Sequence, residues 1–215
     1  MKIPRTIHIV WVGNESLRPD NCIATWRELN PRWTVRVWGN HELRNLGWMN
    51  EKHIRAMETR EWNGVADLMR WEILLINGGF AVDADSVCRR PLDDALFGSA
   101  DGCAAYENER AAPGLLAAGY VAARPRDPLI KQIIDDVRAT ATVVDRPAWQ
   151  SVGPMRLTNT YRRSSHKRTW RLWPSHYFMP EHHSGQRYSG PDRPYADQKW
   201  ATTRRLYGSL HRTPV

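Results

Sequence analysis

The sequence predicts an α/β fold, a single domain in which short apolar strands and helices alternate around one sheet. Its 215 residues are 41% hydrophobic, enough to bury one core of useful size. No repeat, low-complexity tract or flexible linker divides the chain. Strand-length apolar runs and helical periodicities take turns as far as residue 141, the pattern of a sheet covered by helices. In such sheets, functional groups gather at the C-terminal ends of the strands.

Ile7-His8-Ile9-Val10-Trp11-Val12-Gly13 reads as a first buried strand that ends in a loop at Gly13-Asn14. Leu17 to Leu29 is helical in pattern, entered through Pro19-Asp20 and ended by Asn30-Pro31. Thr34-Val35-Arg36-Val37-Trp38 alternates as a second strand, and His41 to Glu61 is polar, mixed and helical in part. Val65, Leu68, Met69, Trp71, Ile73, Leu74, Leu75 and Ile76 make a helix that is apolar nearly all round, hence a buried one. Asn63 is its candidate N-cap, and Gly78-Gly79 supplies a left-handed stop. Phe80-Ala81-Val82 is then a short interior strand running into Asp83-Ala84-Asp85. Gly102 to Tyr106 and Gly119 to Ala123 read as two more strands, with Glu107 to Ala112 a polar loop between them. Pro128 to Ala141 is an amphipathic helix whose core face is Leu129, Ile133, Ile134 and Val137.

Past Arg146 the texture changes. Residues 1–145 carry 18 basic and 20 acidic side chains, and residues 146–215 carry 13 and 3, so the net charge of +8 arises in the last third. The single domain 1–215 thus divides into an α/β part, 1–145, and a basic part, 146–215. Tyr161 to Tyr177 interleaves Arg162, Arg163, Lys167, Arg168 and Arg171 with Trp170, Trp173 and Tyr177. That pattern fits phosphates and stacked bases, and equally an arginine-lined edge over a small core. Cys22, Cys88 and Cys103 are odd in number and widely spaced, as reduced thiols are, rather than a disulfide framework or zinc site. The N-terminal apolar run, Ile7 to Val12, is too short for a signal segment or membrane span, which predicts a cytoplasmic protein without a transmembrane segment. Nothing in the sequence sets an oligomeric state.

Two features are out of place on structural grounds alone. Asp67 and Arg70, at i and i+3, cut a polar seam into an apolar helix. Asp83 and Asp85 end a strand that should be interior, where unpaired carboxylates are costly. A divalent ion relieves that cost, because two oxygen ligands on a rigid turn suit Mn²⁺ or Mg²⁺. The Asp-x-Asp spacing by itself is weak, since a chain with 13 aspartates contains about one such pair by chance.

The context of that pair resembles a family. A small residue, Asp67, two apolar residues and Arg70 on a helix, then Gly78-Gly79, a short strand and Asp83-x-Asp85, is similar to the hallmark of glycosyltransferase family 32, the sugar transferases with a DXD motif. That family is distantly related to the glucosylating domains of large bacterial toxins. The opening Ile3-Pro4-Arg5-Thr6-Ile7-His8 with Trp11, Asn30-Pro31 before the second strand, Pro91-Leu92-Asp93 after the motif, and Gly153-Pro154 resemble it as well. So does Tyr195-Ala196-Asp197-Gln198-Lys199-Trp200, with Gln198 where the family commonly has His. Ala81 stands where many relatives carry an aromatic residue.

The resemblance implies a GT-A-like, Rossmann-type mixed sheet flanked by helices, and a metal-dependent, retaining transfer of a hexose from a nucleotide sugar to an acceptor hydroxyl. It implies Asp83 and Asp85 as metal ligands for Mn²⁺ or Mg²⁺. Asp67 and Arg70 would then hold the sugar of a UDP- or GDP-sugar, with Val10, Trp11, Gly79 and Ala84 also lining the donor and Trp11 stacking on its base. Asp197, Gln198 or Lys199 would complete the metal or phosphate contacts. The acceptor expected from the family is a saccharide or glycolipid. The basic last third raises an alternative acceptor, DNA with hydroxylated bases, and a third reading, a nucleic-acid-binding module without catalysis. The module leaves the four buried charges unexplained. A metal-dependent phosphotransferase or nuclease would want more carboxylates or a phosphate-cradling glycine loop than the sequence offers.

Overall fold

The computed structural model describes residues 2–213 and 215. β1 (Thr6–Val10) is buried beyond its first residue and lies at the centre of the parallel half of the sheet. A 3₁₀ turn at Glu15–Leu17 precedes α1 (Asp20–Leu29), so the helix starts three residues later than its apolar pattern suggests. Asn14 caps that turn through its side chain, and Pro19 then sets the entry to α1. β2 (Thr34–Trp38), α2 (Asn40–Asn45) and α3 (Glu51–Glu58) follow.

α4 (Trp62–Asn77) is the buried helix. Its N-cap is Glu61 rather than Asn63, and the Glu61 carboxylate is turned outward to accept the backbone N–H of Ala148. At the other end Gly78, at φ +63°, donates to Leu74 O and closes the helix. The chain continues through β3 (Gly79–Val82), β4 (Ser86–Cys88), α5 (Asp94–Phe97), β5 (Gly102–Asn108) and β6 (Ala112–Ala123). Here the structure departs from the expected polar loop. β5 and β6 form a hairpin with a tight turn at residues 109–111, and Glu107 lies within a strand. The polar residues stay in the ladder, Asn108 pairing with Ala112 after register shifts on either side of Tyr106.

α6 (Pro128–Arg138), α7 (Ala148–Ser151) and α8 (Pro154–Arg163) pack near α4; β7 (Trp170–Trp173), β8 (Ala196–Gln198), α9 (Ala201–Arg204) and α10 (Tyr207–Leu210) complete the chain. The main sheet has six strands in the order β2-β1-β3-β6-β5-β7, and β4 pairs with β8 in a separate ribbon. β1 runs parallel to β2 and β3, whereas β6 is antiparallel to both β3 and β5, so the sheet is mixed. β7 is an edge strand parallel to β5.

The basic-aromatic stretch resolves as that arginine-lined edge. Trp170 and Trp173 are 7% and 1% exposed, and Trp173 donates from its indole to Leu96 O. Their faces are spent on the core and are closed to stacked bases. His8 is likewise structural. Trp38 Nε1 donates to its Nδ1 at 3.1 Å, so Nε2 carries the hydrogen that bonds Gly78 O at 2.8 Å. Burial lowers its pKa to about 4 and keeps it neutral. The three cysteines are free and buried. Among the described residues no helix is long and apolar enough to cross a membrane.

Candidate active site

α4 and β3 bring the four unusual charges together. β3 is held at its C-terminal end by the Asp83 N–H, which donates to Gly119 O at 3.1 Å, and the chain then turns through Asp83-Ala84-Asp85 into β4. Arg70 reaches from α4 into this turn. Its Nη1 lies 2.6 Å from Asp67 Oδ1 and its Nη2 2.5 Å from Asp83 Oδ1, with only 5% of its side chain accessible. Its Nε is buried and has no partner among the described residues, so one donor remains to be satisfied.

Two glycines make room for these carboxylates. A Cβ at Gly119 would sit 2.2 Å from Asp83 Oδ2, and one at Gly153 would sit 2.4 Å from Asp67 Oδ2. Gly153 belongs to the Gly-Pro turn that starts α8, and so the basic part of the chain touches the site there.

The C-terminal ribbon supplies the third side. β8 pairs with β4 so that Ser86 faces Gln198. Gln198 Nε2 lies 2.9 Å from Asp85 Oδ1 and 3.3 Å from Asp83 Oδ2, while its Oε1 accepts from the Tyr120 hydroxyl at 2.7 Å. Asp85 Oδ2 accepts the Ala201 N–H at 2.7 Å. Of the three residues left open by the sequence, Gln198 is the one aimed at the Asp pair. Asp197 instead pairs with Arg89, and Lys199 meets Asp85 through its backbone N–H.

Electrostatically the cluster is under tension. Burial raises Asp67 to about 7; Arg70 pulls it down and the charge of Asp83 pushes it further up. Burial also raises Asp85 to about 6, with Asp83 adding to the rise and the hydrogen bonds from Ala201 and Gln198 opposing it. Burial works against the Arg70 charge, but Asp83 and Asp67 outweigh it and hold the guanidinium above its ordinary range.

The residues fit a hard divalent ion. Oxygens of two carboxylates converge on one amide nitrogen, the place a cation would take, and Gln198 offers a carbonyl oxygen there once its amide is turned over. The donor set is then all oxygen, and among the described residues Arg70 is the one cation paired with these carboxylates.

The remaining sequence-derived positions divide. Trp11 stands at the end of β1, half-buried, with its Nε1 donating to Asn14 O at 3.0 Å and its ring meeting Tyr207 edge-on at 4.9 Å. Ala84 is buried between the two aspartates. The Val10 side chain is buried in the cluster of Val12, Trp38 and Leu68, so only its backbone could face a ligand. Gly79 is not brought to the site. It starts β3, four residues before Asp83 and roughly 13 Å along an extended strand. A Cβ there would lie 2.6 Å from Thr6 O at φ +101°, so its role is the close passage beside β1. Sequence reasoning missed Tyr120, far from the motif in sequence; the Gly119-Tyr120 pair, a small residue in a strand, was the available signal.

No known family profile matches the chain. In sequence it is 29% identical over 146 residues to an uncharacterized glycosyltransferase of Acanthamoeba polyphaga mimivirus, an alignment covering 63% of this chain and 55% of that protein. It is 23% identical over 122 residues to the subversion of eukaryotic traffic protein A of Legionella pneumophila, over 45% of this chain and 19% of that one. The chain thus spans about half of the first relative and a fifth of the second. In structure it is similar to the PaToxG glycosyltransferase, at TM-score 0.59 and 13% identity over 75% of this chain and 69% of that one. It is also similar to the ligand-free glycosyltransferase domain of the YGT toxin, at TM-score 0.53 and 8% identity over 80% of each chain. The fold is that of these glycosyltransferase domains, a single α/β domain with a six-stranded mixed sheet flanked by helices.

Proposed function

We propose that this chain is a metal-dependent glycosyltransferase of the family 32 type, moving a hexose from a UDP- or GDP-sugar to an acceptor hydroxyl. The observation that carries this reading is the convergence of Asp83, Asp85 and Gln198 on one point, with Arg70 tying Asp83 to Asp67 beside it. A structural ion pair would need Arg70 and one aspartate. It would not need two buried carboxylates and a half-buried third, two glycines cleared for them and an amide from the far end of the chain.

In the proposed reaction Asp83, Asp85 and Gln198 hold Mn²⁺ or Mg²⁺. The bound ion supplies Lewis-acid stabilisation of charge on the departing diphosphate. Asp67 accepts hydrogen bonds from sugar hydroxyls. Arg70 donates to them through its free Nε and keeps both aspartates in register. Trp11, at the C-terminal end of β1, offers an indole face to the base. Retention of configuration accords with the family resemblance. The acceptor best supported is a saccharide or glycolipid, because the aromatic residues a nucleic-acid reading requires are committed to the core.

The test is a screen of UDP- and GDP-sugars with Mn²⁺, reading out released nucleoside diphosphate. Turnover with at least one donor, lost in EDTA and in Asp85→Asn, is the expected result. Turnover that persists in EDTA, or no release from any donor, overturns the assignment.

A further inference from the structure

The loop between Pro180 and Tyr188 carries a side-chain cluster to which the proposed donor chemistry assigns no role. The loop is a closed hairpin: Tyr188 N–H donates to Pro180 O at 2.8 Å, His182 N–H to Gln186 O at 2.8 Å, and Glu181 bridges Arg187 in antiparallel fashion. It is also tied down from outside. Trp200 Nε1 donates to Glu181 O at 2.8 Å, and the Glu181 carboxylate takes both Arg187 and Arg204. The Trp200 ring meets the His182 and His183 rings edge-on at 5.0 and 5.1 Å. Two neighbouring imidazoles are therefore presented from a fixed support. Opposite them, on β5, the Glu107 carboxylate is 16% accessible and lies 3.3 Å from His182 Nε2. One donor atom from each of Glu107, His182 and His183 lies within 4.8 Å of the other two.

We propose that Glu107, His182 and His183 bind one divalent ion of the zinc class, at a site separate from Asp83 and Asp85. Imidazole nitrogens with one carboxylate oxygen are a borderline-soft donor set, suited to Zn²⁺ or Co²⁺, whereas the all-oxygen pair at Asp83 and Asp85 suits Mg²⁺ or Mn²⁺. The second ring nitrogen of His182, Nδ1, lies 2.8 Å from Ser184 Oγ and also accepts the Ser184 N–H at 3.3 Å. With a metal on Nε2 the ring proton moves to Nδ1, where Ser184 Oγ is placed to accept it as the outer hydrogen bond of a metal-binding histidine. Three protein ligands leave a fourth position open to water or a substrate oxygen. Zinc ligands sit about 2.0–2.2 Å from the ion and thus roughly 3.3 Å from each other, so the cluster closes slightly on binding; His183, being exposed, can move.

A plain Glu–His ion pair accounts for less. Burial lowers the pKa of His182 and of His183, favouring neutral rings, and raises that of Glu107. The groups that face the cluster are Arg204 and His183 on one side and Asp83 on the other, and Asp83 adds to the rise at Glu107. A 3.3 Å contact between a neutral ring and a carboxylate disfavoured by burial is weak. It leaves the second histidine without a reason to be there. A cation supplies the missing positive charge.

The experiment does not depend on sugar transfer. Chelator-treated protein is titrated with Zn²⁺ by calorimetry and with Co²⁺ by visible absorption, for the whole chain and for His183→Ala, Glu107→Gln and Asp85→Asn. Melting curves confirm that each variant folds, and the exposed position of His183 makes its alanine variant the safest. Wild type and Asp85→Asn are expected to take up about one ion per chain with the visible bands of a low-symmetry nitrogen-oxygen site, and His183→Ala and Glu107→Gln to bind at least roughly tenfold more weakly. No uptake by folded wild type, unchanged affinity in His183→Ala and Glu107→Gln, or loss of uptake in Asp85→Asn each overturns the proposal.

Discussion

Arg70 and Asp83 are joined between α4 and the end of β3, Nη2 to Oδ1 at 2.5 Å, by a guanidinium whose Nη1 also holds Asp67 at 2.6 Å. One cation thus fixes two carboxylates that arrive on different elements. Because the arginine is almost wholly buried, the geometry is set by packing as well as by charge, and a lysine, with a single point of charge, could not hold both.

Arg70→Met is therefore expected to be destabilised by about 3–5 kcal/mol, since it strands buried carboxylates without their partner, and to lose donor turnover completely. Arg70→Lys should keep more of the stability and little of the activity. Chemical denaturation and nucleoside diphosphate release measured on the same preparations check both. A methionine variant as stable as wild type would show that Arg70 does not hold the site together.

The pH dependence follows from Asp85. Its folded pKa of about 6 lies above its unfolded value, so the folded state binds the proton more tightly. Stability then falls as pH rises from about 4 to 6, and the whole cost is present above that window. Asp85→Asn does not titrate. The difference between variant and wild type should shift in favour of the variant over this range by a few kcal/mol. His8 and Asp67 titrate in both proteins and largely cancel. Mn²⁺ should reverse the order, raising the melting temperature of wild type at pH 7.5, much less at pH 5, and not that of Asp85→Asn, because the ion needs the ionised carboxylate. Parallel melting-temperature curves for the two proteins across pH would contradict this.

Trp11 separates two roles by two measurements. Its ring is half-buried and braced edge-on by Tyr207, so Trp11→Ala should lower stability modestly. If the exposed face stacks on the base, nucleotide affinity should fall by roughly 1–3 kcal/mol in addition. Tyr207→Leu removes the brace and keeps the indole, and is expected to cost less affinity than Trp11→Ala. Unchanged nucleotide affinity in Trp11→Ala would assign the residue to the core alone.

Most of the site's charged core could be read from the sequence, because it is local: Asp67, Arg70, Asp83 and Asp85 fall within 19 residues, on a helix and turn whose periodicities are plain. The contribution of Gln198 could not, since only the register of β4 against β8 selects it over Asp197 and Lys199. Glu107 and His182 are 75 residues apart, and a side-chain contact between β5 and the hairpin brings them together without a local pattern. Gly79, expected to line the donor, instead serves the passage of β3 past Thr6. The Arg-Trp alternation at β7 fitted two surfaces equally. An edge strand with one face on the core has the same period as a stacking platform.

That last ambiguity yields the prediction about the acceptor. The basic groups of the final third are partly engaged within the protein: Arg163 with Asp136, Arg187 and Arg204 with Glu181, Arg162 with Gly114 O, and Arg171 with Ala95 O and Leu96 O. Trp170 and Trp173 are turned inward. Contacts to phosphate would lower affinity with salt at a slope near −0.9 per contact on duplex DNA, so a surface using four or five of these groups would show a slope of roughly −4. Because Arg163, Arg187 and Arg204 are paired with carboxylates and the two tryptophans face the core, we expect a shallower slope for wild type on duplex and single-stranded DNA. Arg162→Ala/Arg163→Ala/Lys167→Ala/Arg168→Ala should change it little while losing some stability with the Arg163–Asp136 pair. Binding measured by fluorescence anisotropy across a salt series decides it. A steep slope that the variant flattens would move the acceptor from a saccharide or glycolipid to a nucleic acid, without touching the assignment of Asp83, Asp85 and Gln198, which act on the donor.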